Sequence, residues 1–160
     1  SLIYMCEHNK EGSMGLIINK PMISENAADI IQQTGLHHIQ PMPDIYFGGP
    51  VNLEMGLFLH DTSYDIEGTL SVSKSISLTS NKQIVVDLKN GNGPVEFRFS
   101  FGYTGWGKGQ VEREIENGDW LVQETSPDFI FNVPVEQMWG IAIKSFSIDV
   151  SDFSAFGGKA

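Results

Sequence analysis

At 160 residues and 41% hydrophobic, the chain has the length of one ordinary domain and enough apolar mass for a buried core. Ten Lys and Arg against twenty Asp and Glu leave a formal net charge of -10, which disfavours direct binding to nucleic acid and to acidic membrane surfaces, since both reward basic residues. No apolar run approaches the roughly 20 residues that span a bilayer, and the lone Cys6 permits no disulfide within the chain; the chain starts abruptly at Ser1 and no signal peptide is expected there, so a cytoplasmic, reducing compartment is expected.

In chain order, Leu2–Cys6 and Met14–Asn19 are short apolar runs either side of a polar turn containing Gly12, which predicts a β-hairpin. Neither run alternates cleanly, so both strands are expected to be buried on both faces. A helix is predicted from Glu25 to Thr34, capped by Ser24 and closed by Gly35, with Ala27, Ala28, Ile30 and Ile31 as its apolar stripe. Ile45–Phe47 reads as a strand entering a sharp turn at Gly48-Gly49-Pro50, and Gly56–His60 as the next strand. Residues 61–68 read as loop, and Thr69–Ser73 and Ile76–Leu78 as two more strands.

A second helix is predicted from Thr79 or Ser80 to Lys89. Glu96–Phe101 alternates polar and aromatic residues, the pattern of a half-buried strand. A glycine-rich loop at 102–110 and a helix over Gln110–Asn117 follow, with Gly118 at its end. Trp120–Glu124 and Phe129–Phe131 read as strands. A last helix is predicted from Pro134 to Phe146, with Met138, Trp139, Ile141 and Ala142 on its apolar side. The tail 147–160 is mixed. Strands and helices interleave without a βαβ repeat, which favours a single α+β or mixed α/β domain over residues 1–160.

Three segments carry a resemblance: Tyr4-Met-Cys-Glu-His-Asn9 with Gly15-Leu-Ile-Ile-Asn-Lys-Pro21; Phe47-Gly-Gly-Pro50; and Gly102-Tyr-Thr-Gly-Trp-Gly-Lys-Gly-Gln-Val-Glu-Arg-Glu-Ile115 with Gly118-Asp-Trp-Leu121. In this order the chain resembles the AlgH/YqgE family of small bacterial proteins along essentially its whole length. The resemblance implies an α+β single domain with a curved, barrel-like, mostly antiparallel sheet and about four helices packed on it. It implies no catalytic activity; the family is often labelled a transcriptional regulator. Members carry an N-terminal segment before the position of Leu2, so the chain is expected to lack one. They also have a His before the last Ala, where this chain has Lys159.

The groups able to do chemistry are Cys6, Glu7 and His8, Tyr46, His60, and Tyr103, Trp106, Gln110 and Glu112. Residues two apart on a strand share a face, so Cys6 and His8 are expected to point the same way. They would begin a metal site or an activated thiolate. Cys-x-His supplies only two ligands, adjacent His37-His38 do not converge on one metal, and His60 at a strand end joins only if the fold brings it near; a redox-sensitive thiol is the other alternative, and a small buried thiol is the plainer reading of Cys6.

The glycines at 102, 105, 107 and 109, followed by a helix, could cradle a phosphate on backbone N–H groups. The string lacks the dinucleotide spacing and the Walker Gly-Lys-Ser/Thr ending, and Glu112, Glu114 and Glu116 oppose an anion. A tight corner burying Tyr103 and Trp106 is therefore preferred, with the acidic row as a solvated helix face. Trp106, Trp120 and Trp139 are expected to be core anchors.

No complete catalytic or metal-binding constellation emerges. The expected role is a non-enzymatic regulatory or binding protein that acts indirectly on gene expression through a protein or small-molecule partner. The alternative is a small-molecule or nucleotide-binding protein, or an enzyme, that uses segment 102–110 with Cys6 and His8. The sequence names neither ligand nor cofactor.

Overall fold

The computed structural model describes residues 1–23 and 25–157; Ser24, Lys159 and the side chains at 26 and from 147 onward lie outside that description. Among the described residues seven strands form one sheet: β1 (Ile3–Asn9), β2 (Gly12–Ile17), β3 (Ile45–Phe47), β4 (Val51–Asp61), β5 (Leu70–Ser71), β6 (Ile76–Thr79) and β7 (Phe97–Gly107). Their order is β1-β2-β7-β4-β6-β5, antiparallel throughout, with β3 added parallel to β7. The sheet curls into a half-barrel that carries helices, so the fold is the α+β single domain expected. The described helices are five rather than about four: α1 (Asn26–Thr34), α2 (Gln83–Lys89), α3 (Gln110–Glu116), α4 (Pro127–Asn132) and α5 (Val135–Gly157), with a 3-10 turn at Leu36–His38.

Both faces of the sheet are covered. On the first face Leu16, Leu57, Leu59 and Leu78 pack against Ile130 of α4 and Met138 of α5. On the second, Phe58, Phe99 and Phe101 pack against Leu36, the α1 residues Ile30 and Ile31, and Ile84 of α2. Two-sided cover explains why the alternation in Glu96–Phe101 misleads. Arg98 and Ser100, expected to face water, are buried like Phe99 between them, because β7 is central and α4 closes the polar face. The hairpin runs Leu2–Cys6 and Met14–Asn19 are buried or half-buried throughout, as their unbroken apolar character predicts, and β1 continues past them into the exposed Glu7, His8 and Asn9.

Segment 102–107 is not a loop. β7 runs through it, pairing with β2 at Thr104–Gly107 and with β4 at Tyr103 and at Phe97–Phe101. β3 lies on one edge of β7 and β4 on the other, so the chain between them at Gly48-Gly49-Pro50 must cross over β7. It does so backbone against backbone at Gly102, held by hydrogen bonds from Gly48 N–H to the Phe101 carbonyl and from Ile17 N–H to the Gly48 carbonyl, each 2.8 Å. A Cβ at Gly49 would lie 2.2 Å from the Tyr103 carbonyl carbon, and one at Gly102 would lie 2.2 Å from the Gly49 oxygen. Gly102 also has φ +73°, where L side chains are strained. Gly102, with Gly48 and Gly49, therefore serves a chain crossing.

Three further expectations are corrected. Phe129–Phe131 is helix: Ser126 caps α4, its Oγ accepting from Phe129 N–H at 3.2 Å, and Pro127 sits in the first turn. Residues 120–124 form no regular element. The last helix continues through the segment read as tail, to Gly157, and Trp139 on it is 51% exposed rather than a core anchor.

Candidate functional site

The expected face-sharing of Cys6 and His8 is broken by a β-bulge. β1 pairs with β2 as Met5 with Gly15 and then Glu7 with Met14, leaving Cys6 unopposed. The extra residue resets the alternation. Cys6 faces the first-face core with Leu16, while His8 pairs with Ser13 on the opposite face. Burial pushes the Cys6 thiol up to about 12, far from a usable thiolate at neutral pH.

That shift has a pH consequence. The folded pKa lies above the unfolded value of 9.0, so the favourable contribution is complete below pH 9 and is lost as pH rises toward 12. The slope should approach about 1.4 kcal/mol of lost stability per pH unit in that window. Chemical denaturation from pH 8 to 11 should show this excess slope in the wild type relative to Cys6→Ala. Equal slopes would mean that the thiol is not buried as described.

His8 belongs to a different cluster. Its Nδ1 lies 2.5 Å from the Ser13 Oγ, and its Nε2 lies 3.0 Å from the Glu112 Oε1. Both side chains of that ion pair are about half exposed, so it contributes less than about 1 kcal/mol. Beside it, Glu114 joins three donors: Trp106 Nε1–H at 2.9 Å, Trp120 Nε1–H at 2.8 Å and Gln110 Nε2–H at 3.1 Å. These bonds, that from Trp120 foremost, hold the Glu114 carboxyl below its usual range. The two indoles meet edge to face, 6.0 Å between centroids. The structure thus brings His8, Trp106, Gln110 and Glu112 together on one face. Glu114 is the centre of a structural knot there, not part of a solvated row.

Tyr103 is on the first face. There Met14, Val51, Met55, Leu57 and Tyr103 line an open groove of about 670 Å³, with Glu7 and Glu11 among its polar residues, and the groove reaches Ser13 and Trp106 at the margin of the His8 cluster. His60 is remote from all of these. It is fully buried on β4, with Nδ1 donating to the Asp61 carbonyl at 2.7 Å, Tyr64 edge-on at 5.5 Å, and Nε2 without a partner among the described residues. Tyr46 lies in a third place, beneath the Arg98 guanidinium at 3.8 Å. Among the described residues no three His, Cys, Asp or Glu side chains assemble as metal ligands.

The residue that sequence reasoning passed over is Arg98. An arginine on the polar side of an alternating strand reads as solvated, and the placement of α4 and of the Tyr46 ring against it buries it. Its Nη1 donates to the Ile130 carbonyl at 2.6 Å, and its Nε has no partner among the described residues.

Comparison with known proteins fits this architecture. Residues 1–151 match the profile of a family described as AlgH-like. A UPF0301 protein of Cupriavidus metallidurans is 39% identical over 163 residues, covering 100% of this chain and 85% of that protein. A UPF0301 protein of Ralstonia nicotianae is 35% identical with the same coverage. The solution structure of the AlgH protein from Pseudomonas aeruginosa superimposes with a TM-score of 0.77 at 30% identity, covering 96% of this chain and 82% of that one. A crystal structure from Corynebacterium diphtheriae, 20% identical, shares the fold with a TM-score of 0.69, covering 89% and 75%. No described helix is long and apolar enough to cross a membrane. The chain belongs to the AlgH-like family.

Proposed function

We propose that this chain is a cytoplasmic, non-enzymatic binding protein with a regulatory role, acting on gene expression indirectly through a partner held in the first-face groove. The observation that carries this reading is the groove itself. Its floor of Met14, Met55, Leu57 and Tyr103 is apolar, and Glu7 and Glu11 stand at its exposed edge. Methionine floors accommodate varied apolar surfaces. With a net charge of -10, charge complementarity favours a protein segment of apolar residues interspersed with Lys or Arg.

The alternative, an enzyme or nucleotide-binding site on segment 102–110 with Cys6 and His8, has the His8–Glu112 pair in its favour. Against it, the thiol faces the other side of the sheet, and segment 102–110 is strand as far as Gly107, with a two-residue turn before α3. Direct and indirect action separate in a gel-shift assay at low salt, using promoter fragments that respond to deletion of the gene. The indirect reading expects no specific complex at sub-micromolar protein; such a complex would overturn it.

A further inference from the structure

We propose that Arg98 anchors a binding site for an apolar monocarboxylate, in the cavity between the end of β3 and α4. This goes beyond the first-face groove and does not depend on it. The guanidinium is 6% exposed and closes no ion pair among the described residues, although Tyr46 and Asp44 lie near enough to favour its charge. Arginine does not lose its proton in proteins, and an unpaired buried cation is costly unless an anion reaches it. One Nη1 hydrogen goes to the Ile130 carbonyl, the Tyr46 ring covers one side, and the Nε–H is unspent. The Nε edge of a guanidinium is half of the fork that accepts a carboxylate.

Arg98 lines a cavity of about 900 Å³, large enough for a small organic molecule. Met22, Ile39, Phe97, Phe131 and Val133 supply apolar wall. At its mouth Ile23, Met42 and Val95 are exposed by 92, 55 and 84%. Single exposed apolar residues need no explanation, but three around one cavity holding a buried cation favour a ligand with an apolar body. The charge of that ligand is bounded as well. Asp44, Glu96 and Glu136 line the same cavity, and they oppose a dianionic phosphate about twice as strongly as a single carboxylate.

The test uses decanoate as probe, methyl decanoate as its uncharged match and inorganic phosphate as the competing anion. Each is titrated into the whole chain while the Arg98 side-chain Nε–H resonance is followed by 15N NMR. Decanoate is expected to bind and move that resonance, methyl decanoate to bind at least about tenfold more weakly, and phosphate to do neither. Arg98→Met should weaken decanoate by about tenfold or more, and Arg98→Lys, which keeps the charge but not the fork, should be intermediate. The wild-type resonance decides the matter even if a variant does not fold. The proposal is overturned if decanoate fails to bind by about 1 mM, if it binds without moving the Arg98 resonance, if ester and acid bind equally, or if phosphate displaces it.

Discussion

Gly102→Ala is expected to abolish folding. The added Cβ would sit 2.2 Å from the Gly49 oxygen, a backbone atom that cannot swing away, on a residue held at φ +73°. Relief requires moving the 48–50 crossover, and with it the hydrogen bonds that tie Gly48 to Phe101 and Ile17. Strain and steric overlap of this kind belong to the exceptional class of substitutions costing more than about 4 kcal/mol, against a total stability of about 5–15 kcal/mol for an ordinary domain. Gly49→Ala should behave the same way. Gly118→Ala carries a similar φ, +82°, but would meet nothing within 4 Å, so it isolates the conformational part and should cost about 1 kcal/mol. Far-ultraviolet circular dichroism and urea titration distinguish the three. A cooperatively folded Gly102→Ala chain within about 1 kcal/mol of the wild type would contradict the crossover.

Ile130→Ala is expected to cost about 2–5 kcal/mol, the range for truncating a fully buried aliphatic side chain. Ile130 is 0% exposed, and its neighbours Phe129 and Phe131 are only partly buried. This ranking separates helix from strand. On a strand Phe129 and Phe131 would share a buried face and Ile130 would point away, so each Phe→Ala change would exceed Ile130→Ala. On α4 the order is reversed. Urea midpoints of the three variants give the answer directly, and a smaller loss for Ile130→Ala than for both phenylalanine variants would count against the helix.

Those two positions also mark where the sequence was legible. Local chemistry placed the hairpin at Gly12, the C-terminal glycines of α1 and α3 at Gly35 and Gly118, the strand at 45–47 and its sharp exit, because each depends on residues within one turn of itself. Segment 102–107 was misread as loop because glycines ordinarily mark loops. The partner of Gly102 is a second chain segment some fifty residues earlier, Gly48-Gly49, and no local pattern announces a crossing. Phe129–Phe131 was misread because three large apolar residues suit either element, and Ser126-Pro127, the start signal, lies just before them.

The candidate site divided for similar reasons. His8, Trp106, Gln110 and Glu112 do converge, since β1, β2, the end of β7 and α3 are sequential neighbours in space. Cys6 left the group through one bulged residue. Tyr46 and His60 were grouped with it only by chemistry, and long-range packing holds them elsewhere. Arg98 was invisible because its burial is imposed by α4, thirty residues downstream, and by the Tyr46 ring.

Whether this chain holds a partner in the groove of Met14, Met55 and Tyr103 is read out residue by residue in chemical-shift mapping. An alternating Leu-Lys peptide is titrated into the 15N-labelled chain, with an alternating Leu-Glu peptide as control. The account predicts saturable shifts at Met14, Val51, Met55 and Tyr103 with the Lys peptide alone, and their loss in a Met55→Glu variant that retains the wild-type spectrum elsewhere. Shifts confined to other surfaces, equal binding of the two peptides, or no shifts at about 1 mM would contradict it.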